Sequence, residues 1–219
     1  MSVTSAEAGY ASLSEQAYHV LRDRIIMLDI APGAPINEAQ LAADLGIGRT
    51  PIRESLKKLE LDHLVVSYPR RGTFATQVDI TDLASICEVR EVLEPVAARR
   101  AARTARPQVR VDLAATARQI AAMGEEPSDT RALIAYDIDV HRLIYRAAEN
   151  PHLEETLVRL DNLATRIWCL ALDRLPSLAE HVREHVGLLE AIAAGDAERA
   201  AALAADHVTH FEASIRAVL

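Results

Sequence analysis

The sequence predicts a mainly α-helical protein of 219 residues, with a small helical head carrying a short β-wing and then an all-helical bundle of about six helices. Three observations carry this reading. Apolar residues make up 50% of the chain and aromatics only 4%, with alanine abundant, which favours helix over sheet. Apolar positions recur at helical spacing through most of the chain from Leu13 onward. Strand-like composition is confined to residues 64–68 and 73–76.

Residues 1–12 are small and polar and read as a disordered tail, without the basic start and apolar core of a secretion signal. Residues 13–77 form the head and 78–219 the bundle. The first helix covers 13–28, with Ala17, Val20, Leu21, Ile25 and Leu28 facing inward. Residues 29–35 contain two prolines and a glycine and form a loop. Asn37 caps a second helix, and Gln40, three residues on, is placed to bond back to the backbone as in a capping box. Leu41, Ala42 and Leu45 face inward, Gly46 ends the helix in a left-handed turn, and Ile47 fills the angle that follows.

Gly48 opens a third helix over 49–59, in which Pro51 is tolerated because the first turn has no amide partner to lose. Ile52, Leu56 and Leu59 share its inner side, leaving Arg49, Thr50, Arg53 and Lys57 on the opening turns and outer face. Two strands joined by Pro69-Arg70-Arg71-Gly72 make a basic hairpin that can lie along a phosphate backbone. Helix, glycine turn, basic helix and basic hairpin in this order describe a winged helix-turn-helix, whose second helix meets base edges in the major groove. The expected DNA-binding set is Arg49, Thr50, Pro51, Arg53, Lys57, Arg70, Arg71 and Gly72. At these residues the chain resembles the GntR family of bacterial transcription regulators over 13–76, with a specific core from Leu41 to Leu56. Gly48 stands where members often have serine, and Ala39 where many have arginine.

A net charge of −8 looks wrong for a DNA binder until it is divided along the chain. Residues 1–78 hold 8 Lys/Arg against 9 Asp/Glu, and within 49–78 the count is 6 against 3. The deficit therefore sits in the bundle, and because screening limits reach to about 8–10 Å, the local sign governs. Cys87 and Cys169 are far apart with no metal or redox spacing, and read as reduced thiols of a cytoplasmic protein. No apolar run approaches the roughly 20 residues needed to span a bilayer.

After a linker at 77–79, a helix begins near Thr81 and runs to about Ala105, bent at Pro95. Pro107 starts the next, which ends near Gly124; Ser128 caps a third, which stops at Asn150-Pro151. A fourth covers 153–175, Ser177 with Glu180 forms a capping box for a fifth, and Gly195-Asp196 separates the last. Arg99, Arg100, Arg103 and Arg106 form a basic run that reads as a solvated face.

Three of these helices carry metal-type ligands on their inward stripes. Leu133, Ile134, Asp137, Val140, His141, Ile144 and Ala148 form one face, which places Asp137 and His141 one turn apart. Leu178, Val182, His185, Leu189 and Ile192 form the second, and Leu203, His207, Phe211 and Ser214 the third. An antiparallel hairpin turning at Gly195-Asp196 returns His207 to the height of His185, at about 1.5 Å per residue. Asp137, His141, His185 and His207 are thus the expected ligands of a divalent metal, zinc first, with nickel and manganese also suited to imidazole and carboxylate. His181 and His210 flank the same stripes and are reserves.

Here the chain resembles the FCD ligand-binding domain of FadR-type GntR regulators, through Val89-Arg90-Glu91-Val92-Leu93-Glu94-Pro95, residues 137–141, Ala148-Glu149-Asn150-Pro151 and Gly195-Asp196. Val140 stands where phenylalanine usually precedes the histidine. The resemblance implies metal ligation by the same aspartate and three histidines, and a small organic acid whose carboxylate completes the metal shell. Arg90, on an inward stripe with Leu83, Cys87, Leu93 and Ala97, pairs either with that carboxylate or with Glu94 one turn on. Asn162 and Arg166 are further effector-binding candidates.

The expected function is a metabolite-responsive, DNA-binding regulator, a repressor acting as a homodimer on a palindromic operator, with no enzymatic activity. A metal sensor is the first alternative. A metallohydrolase with a DNA-binding head is disfavoured because no glutamate is placed as general base. A non-sensing architectural DNA binder is the third.

Overall fold

The computed structural model describes residues 12–123, 129–175 and 178–218, and the chain divides between Val78 and Asp79 into two compact units.

In the first unit, helix α1 (Leu13–Ile26) starts on Ser12, whose hydroxyl accepts from the Glu15 amide at 3.1 Å. The last residue assigned to the tail is therefore a cap. The helix ends two residues sooner than the sequence suggests, because Leu28 adopts a left-handed φ of +58°. Helix α2 (Glu38–Leu45) is capped by Asn37, which accepts from the Ala39 and Gln40 amides, and Gly46 closes it at φ +66°. The reciprocal half of the capping box is not formed. Gln40 Nε2 instead donates to Asp44 at 2.7 Å, one turn along the same helix.

Helix α3 (Arg49–Leu61) packs on α1 and α2 and seals the head core with Ile52, Leu56 and Leu59. Each such buried side chain contributes about 1.5–3 kcal/mol. Strands β2 (Val65–Tyr68) and β3 (Gly72–Ala75) form the wing, with Tyr68 opposite Gly72. A further strand, β1 (Pro35–Ile36), lies where the sequence suggests only loop, and pairs with β3 to give the antiparallel order β1-β3-β2. It is an edge strand, where a proline's missing donor does no harm.

In the second unit, a 3-10 turn (Ile80–Asp82) leads into α4 (Leu83–Thr104), which continues through Pro95. There follow α5 (Pro107–Ala121), α6 (Thr130–Ala147), α7 (Pro151–Ala171), α8 (Leu178–Ala194) and α9 (Ala197–Arg216). Helix α4 is the hub, packing against α6, α7, α8 and α9, while α5 lies along α8. Asp129, Asn150 and Asp196 cap α6, α7 and α9, and Gly195 makes the α8–α9 turn at φ +81°. Ser128 and Ser177, read as caps, and Gly124, read as a helix end, lie outside the described residues, as do residues 1–11.

The basic run on α4 is more than a solvated face. Arg99 and Arg103 both pair with Glu198 at the start of α9, and Arg106 pairs with Glu149. Arg100 donates to the Ala148 carbonyl at 2.6 Å, satisfying one of the acceptors left over at the end of α6. Among the described residues no helix is long and apolar enough to cross a membrane.

Candidate functional site

The head presents its basic residues outward. Arg49 and Thr50 are exposed at the start of α3, Pro51 is half-buried, and Lys57 is exposed two turns on. Arg53 is also exposed, but its Nε donates to Glu38 of α2 at 2.7 Å. Such an exposed pair is worth about 0–1 kcal/mol and exchanges readily for a phosphate or a base edge. At the wing tip, Arg71 donates its amide to the Tyr68 carbonyl at 3.1 Å across Pro69 and Arg70. Arg70 takes φ +63° at the turn position that glycine usually fills. The arginine there carries roughly 1–2 kcal/mol of backbone strain. It also projects a cation from the exposed tip of the hairpin. Arg71 lies over the Tyr68 ring at 5.7 Å, and Gly72 is exposed.

In the bundle, α6, α8 and α9 bring His141, His185 and His207 together, all three buried. His141 Nε2 lies 3.2 Å from His185 Nε2 and 3.3 Å from His207 Nε2. Each ring's other nitrogen is committed elsewhere. His185 Nδ1 faces the Val182 carbonyl at 3.2 Å, and His207 Nδ1 faces Glu184 at 2.9 Å. His141 Nδ1 meets the Tyr145 hydroxyl at 3.1 Å, which itself donates to Glu94 at 3.0 Å. These partners accept, so each Nδ1 carries the proton and three Nε2 lone pairs converge on one point.

Converging lone pairs repel unless a cation sits among them. Burial, first of all, holds all three imidazoles below their ordinary pKa, His185 at about 3, so a proton is a poor candidate. A tetrahedral metal bonded to nitrogen at about 2.0–2.1 Å sets neighbouring ligand nitrogens roughly 3.3–3.4 Å apart, close to the spacing found here. Asp137 borders the cluster with Oδ2 3.9 Å from His141 Nε2. Its Oδ1 is buried and accepts no hydrogen bond. Burial and the nearby Asp161 charge push the Asp137 carboxyl well above the usual range, which a bound cation would reverse.

Behind this cluster lies a charged layer. Arg90 is buried and bonded to Glu94 at 2.6 Å, with Asp161 at 3.6 Å and the Phe211 ring at 5.2 Å. Of the two partners the sequence leaves open for Arg90, the one present is Glu94. Burial works against the guanidinium's charge, but Glu94, Tyr145 and Asp161 outweigh it and raise its pKa. On α7, Asn162 and Arg166 are buried, and both polar atoms of the Asn162 amide are without hydrogen-bond partners. Burial pushes Arg166 down to about 10.

Sequence reasoning missed Tyr145, Asp161 and Glu184, and held His181 only as a reserve on the flank of its stripe. Tyr145 is one turn beyond His141, so helical spacing could have found it. His181 is half-buried, its ring 4.4 Å from that of His207 and 4.8 Å from Trp168.

Comparison with known proteins places these features. Residues 13–75 match the bacterial regulatory proteins of the gntR family, and 85–210 match the FCD domain. A probable D-xylose utilization operon transcriptional repressor of Paenarthrobacter nicotinovorans is 32% identical over 87% of this chain and 85% of its own. The HTH-type transcriptional repressor RspR of Escherichia coli is 24% identical over 94% of this chain and 90% of its own. The solved structure of E. coli McbR/YncC has the same fold, with a TM-score of 0.80, 23% identity, and coverage of 95% and 99% of the two chains. With a winged helix-turn-helix head, a second unit of six helices among the described residues and these matches, the chain belongs to the GntR family of DNA-binding transcription regulators, in its FCD-containing branch.

Proposed function

We propose that this regulator is a cytoplasmic, homodimeric repressor whose hold on a palindromic operator is set by a small organic acid bound beside a divalent metal, zinc foremost. The observation that carries the sensing half is the meeting of three buried imidazoles, with His141 Nε2 3.2 Å from His185 Nε2 and 3.3 Å from His207 Nε2. His141, His185, His207 and Asp137 would hold the ion, whose contribution is a fixed positive charge for an acid's carboxylate. Nickel and manganese suit the same donors.

The chain's own residues do the rest. Glu184, the Val182 carbonyl and Tyr145 fix the three ring tautomers, as outer partners of metal-bound histidines do. Asn162, with an unsatisfied buried amide, offers one donor and one acceptor to the body of the acid. Arg90 supplies positive charge nearby, where an incoming carboxylate competes with Glu94, and Arg166 is a further buried cation on α7 for the acid. The head's part is to place Arg49, Thr50, Pro51, Arg53 and Lys57 at base edges of one half-site, with Arg70, Arg71 and Gly72 along the phosphates. That relatives are named as repressors, one of them for D-xylose utilization, supports repression and a metabolic signal.

The test is metal analysis of purified protein with thermal shift against a panel of carboxylic acids. Stabilisation by an acid that disappears in Asp137→Ala and His185→Ala supports the reading. Stabilisation that survives both substitutions, or is absent for every acid with metal bound, opposes it. A metal sensor is distinguished by operator affinity that follows metal alone.

A further inference from the structure

A cavity of about 110 Å³ adjoins the imidazole cluster, among the last turns of α7, the first turns of α8 and the last turns of α9. Trp168, Leu175, Leu178, Phe211 and Ile215 give it apolar walls. The charged side chains lining it are Glu180 and Glu184, one turn apart on α8, and among the described residues no lysine or arginine joins them. Glu180 and Ser214 are exposed and mark its rim.

Two residues tie this cavity to the place of the acid's carboxylate. His181 is the partition: it lines the cavity, its ring lies 4.4 Å from that of His207, and its Nε2 is 3.8 Å from Asp137 Oδ1. Phe211 lines the cavity too, and its ring lies 5.2 Å from the Arg90 guanidinium. Apolar room therefore begins one side chain away from both the metal ligands and the cation. A packing gap is the ordinary explanation. It accounts for the volume, but not for the division of the lining into an apolar wall from three helices and two carboxylates on one of them.

We propose that the acid is a monocarboxylate with a short apolar tail, that the tail fills this cavity past His181, and that Glu180 and Glu184 exclude acids carrying a second carboxylate at the far end. The inference rests on the metal-assisted carboxylate reading above and narrows its ligand class. At about 30 Å³ per water-sized group, the cavity takes roughly three to four carbons. Each of those carbons leaves water for the Trp168, Phe211 and Leu178 side chains, which is favourable in proportion to the area covered. A second carboxylate there would lose water and meet two like charges, so the wrong acid is rejected as well as the right one held.

Full-length, zinc-loaded protein freed of excess zinc is titrated with acetate, hexanoate and adipate, followed by calorimetry and by the emission of Trp168, the chain's one tryptophan. Hexanoate should bind more tightly than acetate, by about fourfold per methylene accommodated, and should change the Trp168 emission. Adipate, of the same length, should bind no more tightly than acetate. Ser214→Phe, at the exposed rim, should cancel the advantage of hexanoate over acetate. Glu180→Lys, also at the rim, should raise the affinity for adipate several-fold with the helical circular dichroism unchanged. Adipate binding as tightly as hexanoate, or hexanoate no tighter than acetate, overturns the proposal and leaves the carboxylate site standing. Binding by none of the three overturns it too, and the wider acid panel of the thermal-shift test then judges the carboxylate site separately.

Discussion

The Nε2 atoms of His141 and His185 stand 3.2 Å apart with both Nδ1 atoms engaged elsewhere, so two lone pairs meet in a buried site. This arrangement is costly in a metal-free protein and favourable around a cation. Added zinc should therefore raise the thermal midpoint, by about 5–10 °C at a hundredfold excess over Kd. His141→Ala should abolish that gain. Equal zinc stabilisation of native and His141→Ala protein in scanning calorimetry would show that the ion binds elsewhere.

Metal-free protein should lose stability as pH falls from 7 to 5. Burial holds His141, His185 and His207 below the ordinary imidazole pKa, and His181 with them, so their folded forms refuse protons that the unfolded chain accepts near 6.5. The unfolded state then binds more protons, and stability rises with pH in this window, by up to about 1.4 kcal/mol per unit for each histidine. Asp137 acts in the opposite sense. Its folded pKa is raised, so its contribution is present at low pH and lost as pH rises through that value. Glu184, raised chiefly by burial, acts as Asp137 does, and two carboxyls do not offset four imidazoles. Urea midpoints at pH 7, 6 and 5 check this, and a flat series contradicts it.

Arg49→Ala should weaken operator binding by roughly tenfold to a hundredfold, the cost of about 1–3 kcal/mol for a lost base-edge contact. Arg49 is exposed, so helical content should not change. Arg71→Ala should act differently, lowering affinity for all duplexes alike and reducing the salt slope by about 0.9. Fluorescence anisotropy at several salt concentrations separates the two, and identical behaviour of both variants would remove the division between reading helix and wing.

Ile52→Ala should destabilise the head by about 2–5 kcal/mol, because Ile52 is wholly buried beneath α3. Operator binding should fail on warming well before the bundle loses helicity. Simultaneous loss of both signals, at an unchanged midpoint, would contradict the packing described.

Much of this architecture is legible in the sequence because local chemistry and final fold agree. Asn37, Gly46, Asp196 and Gly195 mark helix ends through caps and left-handed turns that depend on a few neighbouring residues. The inward stripe of α6 is buried throughout, from Leu133 to Ala148, as its periodicity implies. What escaped the sequence depends on long-range reach. Strand β1 is two residues long, too short to show alternation, and exists only because β3 offers it an edge. Arg100 looks like surface charge until its side chain meets the Ala148 carbonyl at the end of α6. His181 is legible as a flank of the α8 stripe, but not that Trp168 and Phe211 enclose it from other helices.

The most direct measurement is operator affinity of the zinc-loaded, full-length protein, by anisotropy on DNA from upstream of its own gene, with and without each of a panel of carboxylic acids. One acid should change that affinity by about 5- to 150-fold, a coupling of 1–3 kcal/mol, and should have no effect on His185→Ala. Tight binding that no acid alters, or that the same acid alters equally in His185→Ala, would contradict the link between the imidazole cluster and the DNA-reading head.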